Sequence, residues 1–256
     1  MEKQHIGTFS FSRERQRIRK ETAEQAAHRL IVYPEGDMVS RHLSADSQFC
    51  RACVGMGYLT QAQMHHAAER YRLGISRDGG VIFWQLNLDG RVLDGKIMYY
   101  RADCHRDHSH HPTWVGAELT KFYLADSPDV ADLIDVQHHF FGLHLLAACR
   151  EEQTICVVEA EKTAVILSEH YPQYLWMAAG GLSALKPEML YHLRRHKIVL
   201  FPDTDPDGST FRQWYDIARR AEKMAGKPIH VSPLLEQRAT PAQKERKIDL
   251  VDFLFP

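Results

Sequence analysis

The fold of the carboxyl-terminal part of the chain is decided by TICVVEAEKTAVILSEHY at residues 154–171 and by KIVLFPDTDPDG at residues 197–208. Each stretch opens with an apolar run of strand length, and the first continues into a helical pattern. The remaining strand and helix patterns of this region are YLWMAAGG (174–181), SALKPEMLYHLRRH (183–196), STFRQWYDIARRAEKMAG (209–226) and KPIHVSP (227–233). The alternation βαβαβαβ predicts an α/β fold with a mainly parallel four-stranded sheet flanked by helices.

Two of the predicted strands end in carboxylates. Glu159 closes the first strand, and Asp203, Asp205 and Asp207 follow the third. The carboxyl ends of parallel strands meet at one edge of a sheet, which is where open α/β sheets bind ligands. Converging carboxylates repel one another, and a hard divalent cation resolves that conflict. The pattern therefore predicts a site for Mg²⁺ or Mn²⁺ built from these four acids.

VVEAEKTA, the later glycine pair and FPDTDPDG resemble the Toprim domain of bacterial primases, topoisomerases, small RNA-maturation nucleases and some anti-phage nucleases. The resemblance implies that Glu159 acts as a general acid or base and that Asp203 and Asp205 hold the metal, with Asp207 as an auxiliary acid. It covers about a third of the chain.

The tail IDLVDFL is similar to an acidic and apolar element that closes the Toprim region of plasmid and phage primases. Its acids here are Asp249 and Asp252. The chain departs from the primase pattern at two positions. Ala160 stands where primases usually have glycine, and Thr163 stands where they usually have an acid.

Further segments resemble an uncharacterised family of primase-like, Toprim-containing proteins carried by bacterial mobile elements. The matching segments are YRLG at 71, VIFWQLN at 81, GKIMYY at 95, TWV at 113 and FFGLHLL at 140. The resemblance implies a nucleotidyltransferase connected with DNA replication.

Four residues outside the acid cluster are candidates for contact with nucleic acid, and one of them, Lys162, is also a candidate catalytic residue beside Glu159. Lys162 lies one turn into the helix after Glu159, where it could face the catalytic edge and neutralise phosphate. Lys96 is a second candidate cation, and Gly180 and Gly181 permit a tight strand-to-helix turn near the metal. Idle surface lysines and an ordinary βα turn are the alternatives.

Other interpretations of the acids stay open. A calcium-binding EF-hand loop would need Glu twelve residues into the motif, where Trp214 stands. A phosphatase of the haloacid dehalogenase type would have Thr at Asp207. Finally, Asp203 and Asp205 could simply cap a helix that begins near Ser209.

Cysteine and histidine raise the alternative of a zinc site. Cys50 and Cys53 form one close pair, but Cys104, His105 and His108 make a poor second pair. His110 and His111 belong to the same polar loop, where dense histidine is usually only solvated. Cys50 and Cys53 fit equally well as small core residues of an apolar helix.

The sequence before the Toprim-like region divides into helices and a hairpin. We expect helices at residues 12–29 and 136–149, a helical region from about residue 47 to residue 70, a hairpin turning at Asp89 and Gly90, and a polar loop at 104–112. The domain boundaries predicted are 1–70 for a helical region, 71–150 for a hairpin and helix region, and 151–256 for the Toprim domain.

Composition indicates where the protein is located more clearly than what it does. The net charge of −1 provides no global attraction to nucleic acid, so any such contact must be local. Five cysteines, with only one close pair, do not suggest a disulfide framework, and neither a membrane helix nor a signal peptide is indicated. We expect a cytoplasmic protein without membrane partners.

Together these observations predict Mg²⁺-dependent phosphoryl transfer on nucleic acid by a primase-like protein. The partners expected are single-stranded DNA or RNA, nucleoside triphosphates, and a separate helicase or zinc domain. A Toprim nuclease and a non-catalytic nucleic-acid-binding module are the alternatives, because polymerisation and hydrolysis share the same positioning chemistry.

Overall fold

The computed structural model describes residues 5–6, 9–10, 37–123 and 139–256 of the chain. The contacts between residues divide the protein into two units, Met1–Gln137 and His138–Pro256. The helix predicted at residues 12–29 lies outside the described residues. In the described part, no helix is both long enough and apolar enough to cross a membrane.

The first unit combines short helices with antiparallel strands. Its elements are β1 (His5–Ile6), β2 (Phe9–Ser10), α1 (Met38–His42), α2 (Gln48–Gly55), α3 (Gln61–Tyr71), β3 (Gly74–Ile75), β4 (Val81–Leu86), β5 (Val92–Met98), β6 (Thr113–Trp114) and α4 (Val115–Tyr123). The first two strands pair with each other, and the other four form a sheet in the order β3-β4-β5-β6.

The predicted hairpin is confirmed as β4 and β5. Its turn is held by the Asn87 side chain, which accepts hydrogen bonds from the backbone N–H groups of Asp89 (3.0 Å) and Arg91 (2.8 Å). Gly90 has φ +75°, a left-handed conformation that glycine adopts without a steric cost.

The helical region predicted from about residue 47 to residue 70 consists of two helices, α2 and α3. Gly57 turns left-handed after α2, with φ +74°. Thr60 then caps α3: its hydroxyl accepts from the Gln63 N–H, and the Gln63 side chain accepts from the Thr60 N–H. A capping box of this kind starts a new helix.

Asp94 joins β5 to the beginning of α4. Its Oδ1 accepts the N–H groups of Gly95 at 2.7 Å and Gly116 at 2.8 Å. Burial raises the pKa of Asp94 to about 6, although both hydrogen bonds act in the opposite direction.

The second unit is the predicted α/β fold. After a 3-10 helix (Leu143–Ala148), its elements are β7 (Ile155–Val158), α5 (Glu161–His170), β8 (Leu175–Ala178), α6 (Pro187–Tyr191), β9 (Ile198–Phe201), α7 (Ser209–Ala225), β10 (His230–Val231), α8 (Leu234–Arg238), α9 (Pro241–Glu245) and α10 (Leu250–Leu254). The strand order is β10-β9-β7-β8, with every neighbouring pair parallel.

The core of this unit forms because β7 and β8 are apolar and buried along their whole length. Trp214, Ile217, Ala218 and Ala221 of α7 pack into the same cluster. Their spacing of three and four residues places them on one face of the helix.

Two predicted helices are shorter than expected. The helix predicted at residues 183–196 is reduced to α6, which ends at Tyr191. Its late beginning is explained by Pro187, which favours the first turn of a helix and keeps Lys186 extended (φ −126°, ψ 149°). The helix at 136–149 is described only from residue 139. There Phe141 exchanges two backbone hydrogen bonds with Ala178 of β8 before the 3-10 helix begins.

Candidate functional site

The parallel sheet brings two of the predicted acids to one edge. β7 and β9 are hydrogen-bonded neighbours with Val158 opposite Phe201. Glu159 directly follows β7, and Asp203 follows β9 after Pro202. Both side chains are partly exposed, so they lie at the edge of the sheet and not in its core.

Asp203 lies among other negative charges. Burial raises its pKa well above the usual range, and the charges of Glu159, Asp249 and Asp252 raise it further, while Lys162 acts in the opposite direction. The carboxyl group is therefore held where a neighbouring cation would be strongly favoured.

Asp205, the second acid of the Asp-x-Asp pair, binds the beginning of α7. Its carboxylate accepts from the Ser209 N–H (3.0 Å), the Ser209 hydroxyl (2.9 Å) and the Thr210 N–H (2.6 Å). Burial alone would raise the pKa of Asp205, but the hydrogen bonds from Thr210 and Ser209 outweigh it and hold the pKa well below its usual value. Asp205 therefore caps the beginning of α7, and its predicted role as a metal ligand stays a prediction.

Asp207 is exposed and has a smaller part in the same turn. Its Oδ1 accepts from the Ser209 N–H at 3.2 Å, and its backbone carbonyl accepts from Arg212 at 2.8 Å. Trp214, at the position where an EF-hand needs Glu, is buried in the core. The loop precedes α7 and follows a strand, which does not match the helix-loop-helix of that motif.

Lys162 is buried in the first turn of α5, where it contacts acids from the end of the chain. Its Nζ lies 3.0 Å from Asp249 Oδ2 and 3.4 Å from Asp252 Oδ1. The neighbouring Thr163 hydroxyl donates to the same Asp249 oxygen at 2.7 Å. Burial raises the pKa of Asp249, but Lys162 and the hydrogen bonds from Asp252 and Thr163 outweigh it, so the net pKa is lowered.

The glycine pair lies beside the first acidic strand end. Gly180 and Gly181 have φ values of +90° and +147°, and the Gly180 N–H donates to the Glu159 carbonyl at 2.9 Å. A Cβ at Gly180 would lie 3.3 Å from Glu161 Oε1. Glu161 is only 1% exposed, so this glycine leaves room for a buried carboxylate.

Sequence reasoning missed Glu161 as a neighbour of the site. The sequence analysis identified Asp249 and Asp252 only because the tail resembles an element of plasmid and phage primases. The signal for Glu161 was available in the sequence, because this glutamate begins a helix only two residues after Glu159 at the end of a strand.

Lys96 belongs to the first unit. It lies on β5, opposite Phe83 of β4 and Trp114 of β6, and is 9% exposed. Its predicted contact with nucleic acid stays a prediction.

The cysteines behave as core residues. Cys53 and Cys104 are fully buried, with their sulfur atoms 3.4 Å apart, and burial raises the pKa of Cys50. A zinc site would instead need thiolates. Among the residues that the structure describes, no three His, Cys, Asp or Glu side chains are grouped closely enough to hold a metal ion together.

A protein-family model described as a domain of unknown function, DUF6371, matches residues 48–204. The chain belongs to this family. The matched region contains the hairpin, the first three parallel strands, Glu159 and Asp203. None of the curated proteins compared with the chain matches it.

Several solved primase structures are similar to this member of the family. The primase fragment of the bacteriophage T7 primase-helicase protein is 16% identical, with a TM-score of 0.44 over 66% of this chain and 60% of that fragment. The DnaG catalytic core is 14% identical, with a TM-score of 0.49 over 85% of this chain and 80% of that one. The E. coli primase catalytic core is 15% identical, with a TM-score of 0.47 over 86% and 81%. Similarity at this level does not establish a shared activity.

Proposed function

We propose that this protein carries out divalent-metal-dependent phosphoryl transfer on nucleic acid as a primase-like Toprim protein. The observation that carries the proposal is the convergence of Glu159 and Asp203 at the carboxyl edge of a parallel sheet. Burial, and after it the negative charge of neighbouring carboxylates, raises the pKa of Asp203, as expected for a site that receives a cation.

The donor set fits Mg²⁺ or Mn²⁺. Mg²⁺ takes oxygen ligands and is typically bound through one or two carboxylates, several waters and substrate phosphates. Glu159 and Asp203 can supply those two carboxylates. A bound cation would neutralise phosphate oxygens and orient the reacting groups.

Proton transfer, metal binding and loop positioning are assigned to side chains of the site. In this proposal Glu159 and Asp203 would hold the cation, and Glu159 would also take the proton of the attacking hydroxyl or water. Asp205 fixes the loop that carries Asp203, because its three hydrogen bonds tie that loop to α7. Gly180 and Gly181, which lack side chains, allow a phosphate to approach the backbone next to Glu159.

The wider setting is part of the proposal. Single-stranded DNA or RNA is the proposed partner, with nucleoside triphosphates as substrates if the reaction is extension. Lys96 is a proposed contact for nucleic acid. A helicase or zinc-domain partner and a mobile-element origin are proposed from the resemblance of the sequence to primase-like proteins, and a cytoplasmic location is proposed from its composition.

A non-catalytic nucleic-acid-binding module is the second candidate. It is favoured by the engagement of Asp205 with α7, which leaves fewer carboxylates to hold a metal than the Asp-x-Asp pattern suggested.

The test is Mg²⁺- or Mn²⁺-dependent processing of labelled single-stranded DNA and RNA, with and without nucleoside triphosphates. The wild type is compared with Glu159→Gln and Asp203→Asn, with Asp216→Asn as a control on the exposed face of α7. Both site variants should lose activity by roughly a hundredfold or more, the scale of an acid–base group.

The products identify the reaction. Extension that needs triphosphates indicates a primase-like polymerase, and cleavage without them indicates a Toprim nuclease. If no activity appears, or if both site variants equal the wild type, the catalytic proposal fails and the binding module replaces it.

A further inference from the structure

Lys162 places a positive charge among the carboxylates at the carboxyl edge of the parallel sheet. The Lys162 side chain is 8% exposed, and its ammonium contacts one carboxylate that is 8% exposed and another that is 16% exposed. A lysine in this position is not directed toward solvent. Its three N–H donors are better matched to these acids than to a phosphate arriving from outside.

Both oxygens of Asp249 are engaged by the chain. Oδ2 lies against the ammonium of Lys162 and accepts the Thr163 hydroxyl at 2.7 Å. Oδ1 accepts the Asp252 N–H at 2.8 Å, as part of the capping box that begins α10. Coordination of a metal by Asp249 would require some of these contacts to break.

Thr163, one of the two departures from the primase pattern, and the preceding Lys162 both contact Asp249. An acid at position 163 would add a negative charge beside Asp249, whereas the Thr163 hydroxyl donates a hydrogen bond to it. The preceding residue supplies the cation. Thus this chain balances the tail acids with its own side chains.

The charges on this edge influence one another. The carboxylates concerned are those of Glu159, Asp203, Asp249 and Asp252, and the ammonium is that of Lys162. Four carboxylates and one ammonium leave a net charge of about −3 when all are ionised, which one divalent cation reduces to about −1.

We propose that Lys162 is a resident counter-cation that holds Asp249 and Asp252 away from metal coordination, so that this edge takes one divalent cation and not two. The position of that single cation, at Glu159 and Asp203, rests on the proposed function. The role of Lys162 toward the tail acids does not. Lys162 is accordingly a positioning residue.

The test counts Mn²⁺ ions bound per full-length chain by equilibrium dialysis and electron paramagnetic resonance, without nucleic acid. The wild type should bind one ion, and Lys162→Met should bind two, because Asp249 and Asp252 lose their counter-cation. Combining Lys162→Met with Asp249→Asn should return the count to one. Lys162→Arg and the exposed control Lys197→Met should each keep one ion.

Two ions on the wild type, or no gain on Lys162→Met, would overturn the proposal. If Lys162→Met does not fold, the proposal is tested with Asp249→Asn in the otherwise unchanged chain. Its count and Mn²⁺ affinity should match the wild type, whereas a loss of affinity of more than about tenfold would show that Asp249 binds the metal.

The same counts separate this proposal from the proposed function. If the wild type binds no Mn²⁺ but Lys162→Met gains one ion that Asp249→Asn removes, Lys162 has the proposed role and the cation site at Glu159 and Asp203 fails. If the wild type's single ion survives Asp203→Asn, that site also fails. Absence of Mn²⁺ from both the wild type and Lys162→Met would overturn the counter-cation role.

Discussion

The two acids of the Asp-x-Asp pair should change stability in opposite directions when each is neutralised. Asp205→Ala removes three hydrogen bonds to the start of α7. Ser209 is exposed, so water can replace its two bonds, but Thr210 is only 6% exposed and its N–H loses its partner. Loss of a helix cap costs about 0.5–2 kcal/mol, and leaving a buried donor unsatisfied costs about 1–3 kcal/mol. We therefore expect Asp205→Ala to lower the free energy of unfolding by about 2 kcal/mol.

Asp203→Asn should have the opposite effect at pH 7. The raised pKa of Asp203 means that its ionised form is less favourable in the folded protein than in the unfolded chain. Replacing it with a neutral amide of the same shape removes repulsion from Glu159 and Asp249. The folded state should become more stable, as is common when a functional charge is removed.

Urea unfolding at pH 7, followed by tryptophan fluorescence, measures both effects, because Trp214 is fully buried in the same unit. Asp216→Ala on the exposed face of α7 is the control, and its unfolding free energy should stay within about 0.5 kcal/mol of the wild type. The argument is refuted if Asp205→Ala is as stable as this control, or if Asp203→Asn is destabilised to the same degree as Asp205→Ala.

Three further predictions concern other parts of the chain. Because the folded pKa of Asp94 is about 6, above its unfolded value of 3.8, its contribution to stability should be greatest below pH 3.8 and fall by roughly 3 kcal/mol as the pH rises to 6. Asp94→Asn should remove that fall in urea unfolding measured from pH 4 to 7. Gly180→Ala should cost about 1–2 kcal/mol in thermal unfolding, because it forces a side chain to φ +90° beside Glu161, whereas Gly55→Ala in α2 meets open space and should be neutral or slightly stabilising. Thr60→Ala should cost about 1 kcal/mol by loss of the α3 capping box, and urea unfolding that shows no change would contradict the capping role.

The parallel sheet could be predicted because its signal is local. Residues 155–158 and 198–201 are short apolar runs that cannot form amphipathic helices, and each is followed by a helical pattern. β7 is buried along its whole length, whereas β9 alternates between buried and partly exposed residues, and the two strands pair in parallel within the order β10-β9-β7-β8. The meeting of Glu159 and Asp203 at one edge is then a geometric consequence.

The different surroundings of the Asp203 and Asp205 carboxylates could not be predicted from the sequence. Both acids lie in the same acidic loop, and either spacing permits capping of a helix that begins at Ser209. Only the path of the loop decides which carboxylate meets the N–H of Thr210. The contacts of Lys162 with the tail acids could not be predicted for a different reason. Asp249 is more than eighty residues away in sequence, and a short acidic helix has no local feature that identifies what it contacts.

The helix lengths show the limit of periodicity. Residues 47–70 and 183–196 both have helical spacing of apolar residues, but a left-handed glycine divides the first and Pro187 shortens the second. Local backbone conformation overrode the hydrophobic pattern in both cases.

The backbone bridge between Phe141 and Ala178 covers one position on an edge of the parallel sheet. β8 is an outer strand of the parallel sheet, and unpaired N–H and C=O groups on such a strand can recruit a strand from another molecule. The two bonds exchanged with Phe141 occupy the last position of β8, and at the opposite edge β10 is only two residues long. Intermolecular sheet extension is thus hindered on both sides, and a shortened chain lacking Phe141 would lose this protection along β8.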